Sequence, residues 1–335
     1  MGTAPRFGRG FHLLNLFVWQ GQAPPPFSDA EFALVAGWGF DFLRIPIDHR
    51  YLWYEGTPVA AAWEVLDGAV RLARGHGIHL NLNLHHAPGF CINTPSRQWT
   101  LWTDPEAQRA TADIWRYAAR RYQGTAGSLS FDLVNEPTGC DLDTYEAVVR
   151  RLASAIWEVD PDRCVVADGH AVGTVPLTGL ADLGVVQSVH CYAPHWLTHY
   201  RAPWVYAQGD PHTEPPEYPG TEPPVRGGGR TDPQPWDRNR MEAWFSPWLE
   251  LQGRGVTVHC GEFGVFQHTP RAAQLAWYRD LLDILAAGGF GWALWNLAGP
   301  FGVIATGRPE TAGDRLEDGR AFDRALLALL RGPVP

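Results

Sequence analysis

Eight apolar runs of strand length alternate with segments of helical period from one end of the chain to the other. They lie at 11–17, 42–47, 79–86, 128–136, 164–169, 185–192, 257–264 and 291–297. Between them, segments such as "WEVLDGAVRLARGHG", "DTYEAVVRRLASAIWEV" and "AAQLAWYRDLLDILAAGG" repeat apolar side chains at helical spacing. Asp, Ser or Thr ahead of such segments and Gly behind them supply start and stop signals. The weakest unit follows the fifth run, where "PLTGLADLG" is a poor helix.

Alternating strands and helices build a parallel sheet, and eight such units close a (β/α)₈ barrel. An open doubly wound sheet usually carries a Gly-rich phosphate turn after its first strand, and none stands here. The expected fold is therefore an α/β (β/α)₈ TIM barrel, with residues 1–335 as a single domain. One stretch breaks the rhythm. Residues 203–236, dense in Pro and Gly, have neither period and are read as a long loop inserted after the sixth strand. Loops of that length are usually functional or disordered.

Composition narrows the function. A formal charge of −9 argues against nucleic acid, which calls for a basic face. The five cysteines, Cys91, Cys140, Cys164, Cys191 and Cys260, form no CxxC pair, so reduced thiols in a cytoplasm are the default expectation. No apolar run reaches the ~18 residues of a membrane span. Arg6 and Arg9 ahead of "FHLLNLFVW" superficially suggest a signal peptide, but His12 and Asn15 interrupt the run. Nothing in the sequence speaks to oligomeric state.

In a parallel barrel all strand C-termini open on one face, and active sites sit there. Polar groups gather at that end of strands two, three, four, six, seven and eight: Arg44, His85 with His86, Asn135 with Glu136, His190 with Tyr192, Glu262, and Trp295. Core packing alone would not produce this set. Two glutamates ending apolar runs, among aromatic surfaces, are the equipment of glycoside cleavage. One carboxyl gives a proton to the leaving oxygen while the other attacks or activates water. They must hold opposite protonation states at one pH.

In order along the chain, "LRIPI", "LHHAPGF", "FDLVNEP", "HCYAP", "HCGEFGV" and "WALWNL" resemble glycoside hydrolase family 5, over about residues 9 to 304. The resemblance implies that Glu136 is the acid/base and Glu262 the nucleophile of a retaining double displacement. It implies that Asn135 bonds the sugar 2-hydroxyl and that Arg44 and Tyr192 keep Glu262 ionised and oriented. It further implies that His190 positions Glu136, that His85 contacts sugar hydroxyls with His86 as the second member of the pair, and that Trp295 floors the site before a cis peptide. One departure is Asn83, where relatives often carry Asp ahead of the first His; here it is read as support for the barrel. Most of the sixteen tryptophans belong to the core, leaving Trp19, Phe90, Trp196 and Trp204 as candidate sugar platforms.

Two rival classes fit less well. A metal-dependent barrel hydrolase would use His190, His195 and His199 with His85 and His86, but strand one offers only His12 and no HExxH occurs. No metal and no cofactor are expected. A non-catalytic carbohydrate-binding barrel would lose one glutamate, and both are kept. The expected partner is a carbohydrate, and the expected activity a retaining β-glycosidase of endo-β-1,4-glucanase type. A β-mannanase, or an exo-acting β-glucosidase or β-1,3-glucanase, stays open at this stage. The 203–236 loop is expected to wall one end of the cleft and favour short oligosaccharides.

Overall fold

The computed structural model describes residues 7–93, 98–206, 208–227 and 233–332. Eight parallel strands run β1 (Arg9–His12), β2 (Phe42–Asp48), β3 (His79–His86), β4 (Leu129–Asp132), β5 (Cys164–Asp168), β6 (Val186–Cys191), β7 (Val258–Phe263) and β8 (Gly291–Leu294). They close into a barrel in the order β1, β8, β7, β6, β5, β4, β3, β2. The long helices are α1 (Asp29–Gly37), α2 (Ala60–Gly75), α3 (Pro105–Arg121), α4 (Leu142–Trp157), α5 (Arg238–Gly253), α6 (Arg271–Gly288) and α7 (Arg324–Arg331). This is the (β/α)₈ architecture that the alternation of periods predicts.

Local chemistry explains the boundaries. Asp104, Asp141 and Asp323 cap α3, α4 and α7, each accepting a backbone N–H of the first turn. α6 ends on Gly289 in the left-handed region, at φ +68°. Three strands end well short of their apolar runs, β8 stopping at Leu294 where the sequence predicts 297. β1 covers Arg9–His12, where the sequence predicts 11–17; only Leu16 regains a bridge, to Ile47. β4 stops at Asp132, where the sequence predicts 136, because Asn135 turns its N–H to the Leu84 carbonyl at 3.1 Å. The weak unit after β5 is a four-residue turn, His170–Gly173, with Ala171 and Val172 left-handed, then a short 3-10 turn.

Packing divides the chain into two units. The first contains Met1–His190, Glu250–Gly261 and Gly291–Ala293, and so holds β1 to β5, most of β6 and the starts of β7 and β8. Its interior is layered. At the bottom, Phe7, Phe42, Val166, Val186 and Ala293 form an apolar floor. Two histidines complete it as aromatic filler: His79 stacks on Phe42 at 5.7 Å, and His259 meets Phe7 edge-on at 5.1 Å. Above the floor the interior turns polar. β3 reads HLNLNLHH, and its period of two puts Leu80, Leu82 and Leu84 on one face. The other face carries His79 and Asn81, both bonded to Ser130 Oγ on β4, together with Asn83 and His85. Asn83 is fully buried between Pro46 and Asp132 in register, inside the barrel wall.

The second unit contains Cys191–Leu249, Glu262–Phe290 and Leu294–Pro335. Ala202, Phe266 and Phe301 form a core there, with Tyr192, Val205 and Trp295 packed on it. Across 203–236 the described residues form only isolated bridges, His212 to Val225 and Gly220 to Trp236. The segment is nevertheless pinned. Tyr218 donates to Asp280 on α6 at 2.8 Å, and His212 lies between Asp210 at 2.6 Å and Glu222 at 3.3 Å. No described helix is long and apolar enough to cross a membrane.

Burial pushes His79 down to about 4, and burial with the nearby Arg44 pushes His259 down to about 3. An imidazole held neutral in the folded chain but free to charge when unfolded favours unfolding as pH falls below about 6.5. Each then costs about 1.4 kcal/mol per pH unit until its folded-state value is reached. Thermal unfolding between pH 7 and 5 should show this steep loss, and His259→Phe should flatten it; an unchanged slope in the variant would remove His259 from the account.

Candidate active site

Arg44, in the middle of β2, is fully buried and must find anionic or carbonyl partners. Its Nε donates to Asp132 Oδ2 at 2.8 Å, and its Nη2 donates to Asn135 Oδ1 at 3.2 Å and Asp168 Oδ2 at 3.3 Å. Occupation of Asn135 Oδ1 by a donor fixes the amide orientation. The Asn135 NH₂ is thereby turned toward His85 Nε2, at 3.4 Å. Burial and then its neighbours His86 and Arg44 hold His85 well below the usual histidine range, so it offers a neutral ring.

Glu136 follows on the same turn in the left-handed region, at φ +47°. A non-glycine residue there costs on the order of 1–2 kcal/mol, and such strain collects at functional sites. Asp168, the last residue of β5, takes the Glu136 N–H at 3.0 Å. The Glu136 carboxyl lies 3.0 Å from His190 Nδ1. Burial alone would raise the Asp168 carboxyl, but His190 and Arg44 outweigh it and hold it well below the usual range. Its neighbour Asp132 goes the other way, raised by burial and by the Asp168 charge.

His86 takes a different partner. The register of β2 on β3 shifts between Ile47 and Asp48, and such irregularities re-aim a side chain. Asp48 there meets His86 Nδ1 at 2.9 Å. Burial alone would lower His86, but the Asp48 and Cys91 contacts raise it to about 9, making it a cation at neutral pH.

The second unit carries its own group of predicted residues. Glu262, the penultimate residue of β7, is buried, and its Oε1 accepts the Tyr192 hydroxyl at 2.8 Å. Trp295 donates its N–H to Phe263 O at 2.9 Å and precedes a cis peptide to Asn296. Gly264 lets these elements close up: a Cβ there would lie 2.9 Å from both the Trp295 carbonyl and the Phe301 ring. His195 and His199 stack on each other at 3.9 Å, and burial followed by His195 lowers His199.

The aromatic platforms need correction. Phe90 has 0% exposure and packs on Trp102 at 4.7 Å, because β-pairing of Phe90 with Trp99 turns it into the core. Trp196 keeps only 8% and is wall rather than platform. Trp19 is half-buried, edge-on to Tyr51 at 4.8 Å. Trp204 is 49% exposed and backed by Phe266 at 4.9 Å. Sequence reasoning missed Trp99, 46% exposed. Gly139, at φ +80°, passes so close that a Cβ would meet the Trp99 ring at 3.0 Å. It also missed Asp48, Asp132 and Asp168, which end β2, β4 and β5; Asp132 was hidden inside a run read to 136.

Comparison with known proteins gives the family. The family model Cellulase (glycosyl hydrolase family 5) matches residues 7–299. Endoglucanase C of Acetivibrio thermocellus is 25% identical over 286 residues, covering 80% of this chain and 83% of its own. Cellodextrinase A of Ruminococcus flavefaciens is 25% identical, covering 78% and 76%. A crystal structure of a glycoside hydrolase superposes with a TM-score of 0.86 at 35% identity, covering 97% of this chain and 98% of that one. The chain belongs to glycosyl hydrolase family 5 and is an O-glycosyl hydrolase.

Proposed function

We propose that the enzyme hydrolyses β-1,4-linked glucan chains with retention, Glu136 serving as acid/base and Glu262 as nucleophile. The observation that carries this assignment is the unequal support of the two carboxyls. Glu262 accepts a phenolic O–H from Tyr192, which favours its ionised form. Glu136 faces a ring nitrogen of His190, an environment that can accept a hydrogen bond from a protonated carboxyl. β4 and β7 belong to one closed parallel ring, so their C-terminal ends open on one rim, where barrel chemistry takes place.

In the first step the Glu262 carboxylate attacks the anomeric carbon. The bond to the departing oxygen breaks, and that oxygen takes the Glu136 proton. In the second step Glu136 removes a proton from water, whose oxygen displaces Glu262 from the same carbon. Each step inverts the centre, so the pair retains configuration. Such a pathway calls for carboxyl groups about 5–5.5 Å apart. Asn135, held by Arg44, presents its amide donors for the sugar 2-hydroxyl.

The glucan preference is supported by relatives named endoglucanase and cellodextrinase. Trp204, carried on the 203–236 segment, and Trp99 offer exposed aromatic faces suited to the apolar faces of pyranose rings. Short oligosaccharides are the substrate class we assign, because the segment bearing Trp204 is fixed by Tyr218 and the Asp210–His212–Glu222 cluster.

Three outcomes check this. Against cellulose, β-1,3-glucan and mannan oligomers, the cello-series should be cleaved fastest and give the β-anomer first; the α-anomer first would exclude retention. Glu136→Ala should lose about 10²–10⁴-fold on substrates with poor leaving groups and far less on activated aryl glycosides, since only the former need the proton. Equal losses would remove Glu136 from that role. Trp204→Ala should raise KM for cello-oligosaccharides several-fold, in line with ~0.5–1.5 kcal/mol for aromatic packing, with kcat little changed.

A further inference from the structure

His190 lies between two carboxyls. Its Nδ1 is 3.0 Å from Glu136 Oε1, and its Nε2 is 3.2 Å from Asp168 Oδ1. The other Asp168 oxygen takes the Glu136 N–H and Arg44 Nη2. One fully buried carboxylate therefore touches the backbone of the acid/base, the ring beside its carboxyl, and the cation inside the barrel.

We propose that Asp168 is a positioning residue for the acid/base. It holds the proton of His190 on Nε2, so that the Nδ1 lone pair faces Glu136 and accepts the hydrogen bond of its protonated carboxyl. This rests on the assignment of Glu136 as acid/base made above.

The ring has three states, and two conflict with its surroundings. A proton on Nδ1 alone would leave the Nε2 lone pair against an anionic oxygen. An imidazolium would satisfy both carboxyls, but it would stabilise Glu136 as the anion, stripped of the proton that the leaving oxygen needs. Among the neighbouring groups, the Arg44 cation is the one that opposes that second proton. Arg44 on β2 is a fixed cation, and His12 on β1, His85 on β3 and His259 on β7 are electrostatic neighbours that burial holds neutral. Asp132 on β4 would favour an imidazolium, but its own carboxyl is raised by burial and by Asp168. Glu262 is the penultimate residue of β7, the strand next to β6 in the ring, and adds one negative charge. Arg44 and Asp168 largely cancel.

Two backbones pass close to the residue: a Cβ on Gly173, at φ +76°, would be 2.6 Å from His190 Cβ, and a Cβ on Gly261 would be 3.5 Å from Nε2. The proton's position is set by which nitrogen faces the fixed anion. Over the cycle His190 neither gains nor loses a proton. Its lone pair is in place to accept the hydrogen bond of the carboxyl when Glu136 recaptures a proton from water in the second step.

Nitrogen-15 NMR of histidine-labelled enzyme, with His190 assigned by difference against His190→Gln, reads the tautomer in the intact protein. A neutral Nε2–H ring at the pH of maximal activity is expected; an Nδ1–H ring or an imidazolium there would overturn the proposal, and this readout needs no Asp168 variant to fold. In Asp168→Asn the lost negative charge should lower the basic limb of kcat/KM by about one pH unit. Activity on a poor leaving group should fall about a hundredfold, against about tenfold or less on an activated aryl glycoside. An unmoved limb with equal losses would make Asp168 merely structural. Glu136→Ala on the same pair of substrates separates the two readings, because equal losses there sink the acid/base assignment itself, while normal discrimination with an inert Asp168→Asn sinks only this one.

Discussion

One buried guanidinium organises the interior of the barrel. Arg44 cannot shed its proton and has no access to water, so its donors must be matched by acceptors brought in from other strands. Asp132 comes from β4, Asp168 from β5, and the Asn135 carbonyl from the turn after β4. Each of these acceptors has a second consequence. Asn135 is oriented with its amide donors outward from Arg44, Asp168 becomes free to hold the Glu136 N–H as an anion, and Asp132 is pushed toward its neutral form. Removing any one partner would leave a charge stranded at low dielectric, a loss of about 3–5 kcal/mol by analogy with other buried pairs.

Such a cluster is poor value as a source of stability. Well-packed hydrophobic residues of similar volume often do as well or better than a buried ion pair, and other parallel barrels fill their interiors with branched aliphatics. Here the aliphatic residues are confined to the floor, and histidines forced to stay neutral share that layer. The polar interior above it is therefore better explained by what it orients than by what it stabilises. Acid sensitivity is the physical counterpart of using imidazoles as core aromatics.

The ring of strands was legible because period-two and period-3.6 patterns survive in a single sequence, and because a strand-end polar residue after an apolar run is conspicuous. Glu136, Glu262, His190 and Tyr192 announced themselves that way, and the contacts His190–Glu136 and Tyr192–Glu262 are present as the family resemblance implies. Other features depend on partners distant in sequence. Phe90 looked like a loop aromatic, but a two-residue ladder with Trp99 puts Phe90 inside and leaves Trp99 outside. Trp196 follows a cis Ala193–Pro194 bond into a turn that buries it. The Asp48 partner of His86 comes from the register shift in β2. None of these three outcomes has a local signature.

The ending of β4 ties these threads together. Had the strand continued to 136, as its apolar run suggests, Asn135 and Glu136 would have pointed to opposite faces, as adjacent strand residues must. Leaving the sheet after Asp132 frees both to turn into the site, at the cost of a left-handed residue at Glu136. That conformation needs a partner for an N–H no longer in a ladder, and Asp168 supplies it. The same carboxylate can do so only while it is anionic, and the Arg44 cation with the His190 N–H keeps it so. Strand termination, backbone strain and proton placement at the acid/base are thus one coupled arrangement, and no part of it is free to vary alone.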